Sequence, residues 1–202
     1  MKILPLPVLL TFVFTSLSGH SATPQNYNEG VAGCVNKQII TFSELRSVSD
    51  NEESKLRERY SGTELQNQIR ASRVHALNDL IDQELLVQEF HHKEFSLPDN
   101  SVDEEYGREL QTLCGGDEKV LLTKYGMTPE ELRSQVERQM IIQSMRQRLI
   151  VQPARQQLIQ QGYTEQKLDQ ETVGQELVRQ QSAKIGETVM KELRSRAFIK
   201  TF

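Results

Sequence analysis

The chain has 202 residues, 37% of them hydrophobic and 6% aromatic, with no Trp, 11 Gly and 6 Pro. That composition excludes collagen-like, proline-rich and multi-span membrane architectures and suits one domain, or one domain with an appendage. With 24 Lys plus Arg against 28 Asp plus Glu, the net charge is −4 and the signs are interspersed. This argues against a nucleic-acid partner, because neutralising phosphates demands a basic surface.

In chain order, Met1 and Lys2 form a short positive region, and Ile3 to Leu17 is an uncharged apolar run. At about fifteen residues it is too short to span a bilayer, which takes about twenty helical residues. Small residues follow at Ser18, Gly19, Ser21 and Ala22. Residues 1–22 are therefore expected to be a secretory signal peptide, which places the mature chain outside the cytoplasm without stable membrane insertion. Val31, Ala32, Gly33 and Cys34 imitate a lipid-attachment box. Polar residues including Asn26, Asn28 and Glu29 separate them from the apolar run, which argues against lipidation. The two cysteines, Cys34 and Cys114, are a candidate disulfide in an oxidising compartment. The alternative reading is two small buried apolar side chains.

Val31 to Ile40 places β-branched residues on both sides of Asn36 and Lys37, the pattern of a hairpin. Thr41 followed by Glu44 has capping-box spacing and predicts a short helix start. Asp50 to Ser61 is dominated by charge and reads as a mobile connection. From Thr63 to Phe95 there is neither Gly nor Pro. Apolar residues recur at Ile69, Val74, Leu77, Leu80, Ile81, Leu85 and Phe90, which predicts a long amphipathic helix.

Pro98 and Asp99 break that helix. Ser101 to Leu113 reads as the next one, with acids at its first turn and Gly115 and Gly116 at its end. Asp117 to Tyr125 is a short helix stopped by Gly126. Thr128, Pro129 and Glu131 then start a long helix reaching about Ile150, with its apolar face on Leu132, Val136, Met140, Ile141, Met145 and Leu149. Pro153 to Thr172 is Gln-rich and reads as a linker. Val173 to Ala197 is again helical, and Phe198 to Phe202 suits a terminal strand. The resulting fold class is mostly α. Short N- and C-terminal strands are expected to pair, bringing the C-terminal helix back onto the N-terminal helices.

Several of these segments together resemble SurA-type periplasmic chaperones, a trigger-factor-like peptide-binding fold. The run from Val35 to Leu45 is similar to the family's opening turn, strand and capped helix. Ala76 to Glu89 resembles its second helix, and Ser96, Leu97, Pro98, Asp99 and Val102 the turn after it. Tyr125 to Arg133 looks like its glycine, aliphatic, threonine, Glu-Glu-Leu element, and Glu192 to Lys200 is similar to its final helix and strand. In that family parvulin-type prolyl isomerase domains of roughly a hundred residues lie between the penultimate and last helices. Here only the Gln-rich stretch holds that place. After the signal peptide expected at 1–22, the resemblance implies a chaperone domain at 23–150, a linker at 151–172 in place of the parvulin domain, and a C-terminal helix and strand at 173–202 completing the chaperone domain.

No chemistry competes with this reading. His91 and His92 are adjacent and lie about 100° apart on a helix, so they cannot face one metal together. His75 forms no catalytic set with Glu84 or Glu89 by spacing, and no phosphate loop, CxxC or Ser-His-Asp pattern occurs. Tyr60, Tyr106, Tyr125 and Tyr163 read as packing residues. No catalytic, cofactor-binding or metal site is expected.

A helical module of this kind works by burying apolar stretches of unfolded exported polypeptides, outer-membrane proteins above all, with each contact worth only about 1 to 2 kcal/mol. Methionine suits such a surface because its thioether repacks against different partners, and Met127, Met140, Met145 and Met190 are available. The candidate peptide-binding face is Phe90, Met140, Met145 and Leu149. The leading expectation is an ATP-independent periplasmic holdase, and the alternative is a non-catalytic assembly subunit for one fixed envelope partner. A Skp-like coiled coil is disfavoured by the end strands, the acidic balance and the lack of sustained heptads.

Overall fold

The structure, a computed structural model, describes residues 30–170 and 172–202. The expected signal peptide at 1–22 lies outside the described residues. Strands β1 (Val31–Val35) and β2 (Gln38–Thr41) form the hairpin, with Asn36 in the left-handed conformation at the turn (φ 55°). The helices follow as α1 (Phe42–Arg59), α2 (Gly62–His92), α3 (Ser101–Cys114), α4 (Glu118–Tyr125) and α5 (Pro129–Arg146). A π-helical turn over Gln147–Val151 leads into α6 (Gln152–Gln160), and α7 (Glu165–Gln170), α8 (Thr172–Arg196) and β3 (Ile199–Thr201) complete the chain.

The helix boundaries follow local chemistry. Complete capping boxes open α1, through Thr41 and Glu44, and α5, through Thr128 and Glu131. In each, the threonine hydroxyl and the glutamate carboxylate accept reciprocal backbone N–H groups that the first helical turn leaves without partners. Gly115 and Gly126 end α3 and α4 in the left-handed conformation, which glycine adopts without a Cβ penalty.

The chain ends do pair. The sheet order is β2-β1-β3 and both pairings are antiparallel, with Gly33 opposite Thr201 and Val35 opposite Ile199. Gly33 makes this approach feasible, because a Cβ there would lie 3.3 Å from the Lys200 carbonyl oxygen and 3.5 Å from Leu77 Cδ1. The Asn36 side chain fastens the closure by accepting from the Phe198 N–H at 2.9 Å and donating to Gln88 Oε1 at 2.6 Å. Helix α8 packs against α2. Its Arg194 donates to Asp82 Oδ1 at 2.6 Å, and to the side-chain and backbone oxygens of Asn78 at 3.2 Å each.

Two apolar clusters result. The first joins Val35, Ile40, Ile81, Leu85, Leu86, Phe90, Ile141, Ile142, Met145 and Leu193 from the hairpin, α2, α5 and α8. The second is a smaller cap of Leu110, Leu121, Leu132 and Val136 from α3, α4 and α5. Tyr106 and Tyr125 pack on this second cluster as expected, whereas Tyr60 and Tyr163 are exposed.

Two segments depart from the sequence reading. Residues 50–61, expected as a mobile connection, continue α1 to Arg59. Leu45, Ser49, Glu53 and Leu56 form its buried seam, so two of the four inward positions are polar and dilute the apolar pattern. The stretch expected as a Gln-rich linker, 151–172, contains α6 and α7, which bury Ala154, Leu158 and Leu168. Pro153 does not stop the helix, because the Gln152 N–H reaches back five residues to the Gln147 carbonyl. That π-type widening absorbs the bond that proline cannot donate.

Candidate functional site

Helices α1 and α2 are joined by only Tyr60 and Ser61 and pack side by side. Their seam is held by a buried carboxylate. Arg73 Nε and Nη2 donate to Glu53 Oε1 and Oε2 at 2.6 and 2.9 Å, Ser49 Oγ donates to Oε1 at 3.2 Å, and Arg57 Nη2 lies 3.6 Å from Oε2. The Arg73 hydrogen bonds hold the Glu53 carboxyl below its ordinary range despite the opposing effect of burial, and the same contact raises Arg73. This bidentate pair fixes the spacing of the two helices.

Beside this seam the helices do not close on one another. An open groove of about 740 Å³ runs between them. Phe42 and Leu45 of α1 line it, as do Leu65, Ile69, Val74 and Leu77 of α2 and Phe202 from the chain end. Val74 is 56% exposed and Phe202 66%, and Phe42 is also exposed. Phe202 is positioned by its own N–H, which donates to the Ala32 carbonyl at 3.1 Å, and the Lys200 ammonium stands 4.6 Å over its ring. Apolar side chains held open to water on rigid helices favour burial against an incoming apolar segment.

The residues expected to bind peptide are placed elsewhere. Met145 is 0% exposed and Phe90 is buried with it in the first cluster, both covered by the chain itself. Leu149 is half-buried against the same cluster, and Met140 is half-buried against the second. The four do not form one open face. Periodicity identifies the apolar stripes of α2 and α5, and here those stripes are used on each other and on α8. Met127 packs on the second cluster and Met190 on the first.

The groove is not legible in the sequence because the charge-rich pattern of residues 50–61 conceals the second part of one of its walls, α1. The signal was present as Leu45, Ser49, Glu53 and Leu56 at helical spacing in a stretch without Gly or Pro. Cys34 and Cys114 are free thiols, which corrects the disulfide expectation. Cys34 lies in β1 and Cys114 ends α3 beside the second cluster, so they belong to different parts of the fold. Among the described residues no cluster of three or more His, Cys, Asp or Glu could hold a metal ion, and no helix is long and apolar enough to cross a membrane.

A helical core closed by its own C-terminal strand, with an apolar groove left open along one helix pair, defines a helical binding module. The chain belongs to the SurA-like N-terminal domain family, whose model matches residues 1–146. No curated protein matches it. The matched domain is the non-catalytic part of SurA-type proteins. Membership points to a chaperone-like, polypeptide-binding role. The closing segment Glu192 to Lys200 lies beyond the matched residues, and its place in the unit is given by the packing of α8 on α2 and of β3 on β1.

Proposed function

We propose that the chain is an ATP-independent periplasmic holdase that keeps exported polypeptides, outer-membrane proteins above all, from aggregating. In this reading residues 1–22 direct export and are removed. Residues 23–150 and 173–202 act as one chaperone unit, and the stretch 151–172, which carries α6 and α7, occupies the place of an isomerase domain. The observation that carries the reading is the open groove between α1 and α2, with Phe42, Val74 and Phe202 exposed along it. Its apolar contacts are individually weak, so clients are held and released without a nucleotide cycle.

The test is light scattering from a chemically unfolded outer-membrane β-barrel protein diluted into buffer with the chain from Thr23 onward. Near-stoichiometric suppression by the wild type, lost in Val74→Asp with unchanged circular dichroism, is the expected result. Absence of suppression by folded wild type would sink the holdase reading in favour of a subunit dedicated to one envelope partner.

A further inference from the structure

We propose that the groove between α1 and α2 selects apolar segments flanked by acidic residues. This deepens the holdase reading and rests on the groove being the client site. The groove is lined by Arg57, Arg70 and Arg73, and by no Asp or Glu. Glu53, buried in the seam, is shared between Arg73, bidentate, and Arg57 at 3.6 Å. Asp50 adds a weaker pull on Arg73. Arg70 makes no hydrogen bond or ion pair among the described residues.

One buried carboxylate therefore serves two of the three arginines and leaves Arg70 without a partner among the described residues, on a chain whose net charge is −4. The basic rim is a local reversal of the overall sign. An extended client laying apolar side chains on Leu65, Ile69 and Val74 would carry its flanking residues past this rim. A guanidinium pairs with a carboxylate through two parallel hydrogen bonds, and the apolar floor lowers the local dielectric and strengthens the attraction. Lysine flanks would set like charges together and be disfavoured.

The experiment uses fluorescence anisotropy with three labelled peptides that share one apolar centre and carry Asp, Gln or Lys flanks. Each is titrated with wild type, Arg70→Gln and Val74→Asp. At low salt the Asp-flanked peptide is expected to bind about fivefold tighter than the Gln-flanked one, with the Lys-flanked one weakest. The gap is expected to shrink in Arg70→Gln and to vanish at about 0.5 M salt, where screening is strong. Equal binding of all three peptides, still abolished by Val74→Asp, would overturn the charge selectivity and leave the groove standing. An acid preference that survives Arg57→Gln and Arg70→Gln together would overturn it as well, by locating the preference elsewhere on the surface. Binding unaffected by Val74→Asp, or no binding of any peptide, would instead remove the groove as the client site.

Discussion

The two halves of α2 carry the same kind of apolar repeat and meet different fates. All the buried residues of this helix, Ile81, Glu84, Leu85, Leu86 and Phe90, lie in its second half, enclosed by the hairpin, α5 and α8. In the first half Ile69 and Leu77 are half-buried and Val74 is exposed, because α1 covers only part of that face. The buried carboxylates packed against the two halves, Glu84 of α2 itself and Glu53 of α1, are also used differently. Glu84 accepts from Arg138 of α5 and from Gln88 at 2.8 Å each, and Gln88 also donates to the Val35 carbonyl at 3.2 Å, so its network ties three elements together. Glu53 ties only α1 to α2. One half of the helix is scaffold and the other is surface, and what separates them is the number of elements that return to cover the stripe.

That contrast can be broken by mutation. The largest effect is expected from Leu86→Ala in the enclosed half, a loss of about 2 to 5 kcal/mol in urea unfolding, because a fully covered site leaves a cavity. Ile69→Ala in the open half is expected to cost less than about 1 kcal/mol, since its side chain is already partly in water. Equal losses at the two sites would erase the distinction.

Arg194→Ala, which removes the clamp between α8 and the enclosed half, is expected to cost about 1 to 2 kcal/mol and to raise amide exchange in β1 and β3. Exchange unchanged in β1 and β3 would show that the sheet alone closes the chain. Thr41→Ala removes the capping box of α1 and is expected to cost about 1 kcal/mol. Its sharper readout is faster amide exchange at the start of α1 and weaker peptide binding, with the first cluster unaffected.

The smallest effect is a pH dependence. The folded Glu53 carboxyl is held below its ordinary value of 4.5, so its contribution is fully present above that value and is lost as pH falls through the lowered one. Below pH 4.5 wild type is expected to lose stability more steeply than Glu53→Gln, and parallel curves would show that the pair contributes nothing. The effect is small because Arg73 is half-exposed and screened by solvent.

Much of the fold was legible in the residues. The caps at Thr41 and Thr128, the stops at Gly115 and Gly126 and the apolar stripe of α2 are local signals, set within one or two helical turns. The pairing of the two end strands was also legible, since an isolated two-stranded hairpin is only marginally stable and a third strand was available at the other terminus. The continuation of α1 was not, because Ser49 and Glu53 take inward positions that become stable only when Arg73 arrives from α2. Helix α6 was obscured by Pro153, a usual helix breaker that the π turn accommodates.

The candidate site divides in the same way. The amino-acid sequence determined which residues are apolar, where helices begin and end, and the type of binding module to which they belong. It could not determine which apolar face stays open, because Met145 and Val74 occupy equivalent positions in their helical repeats. Only the tertiary structure decided that α2, α5 and α8 bury the first while α1 leaves the second at the edge of a groove. Burial depends on which distant elements come back to a surface, and helical periodicity carries no information about that.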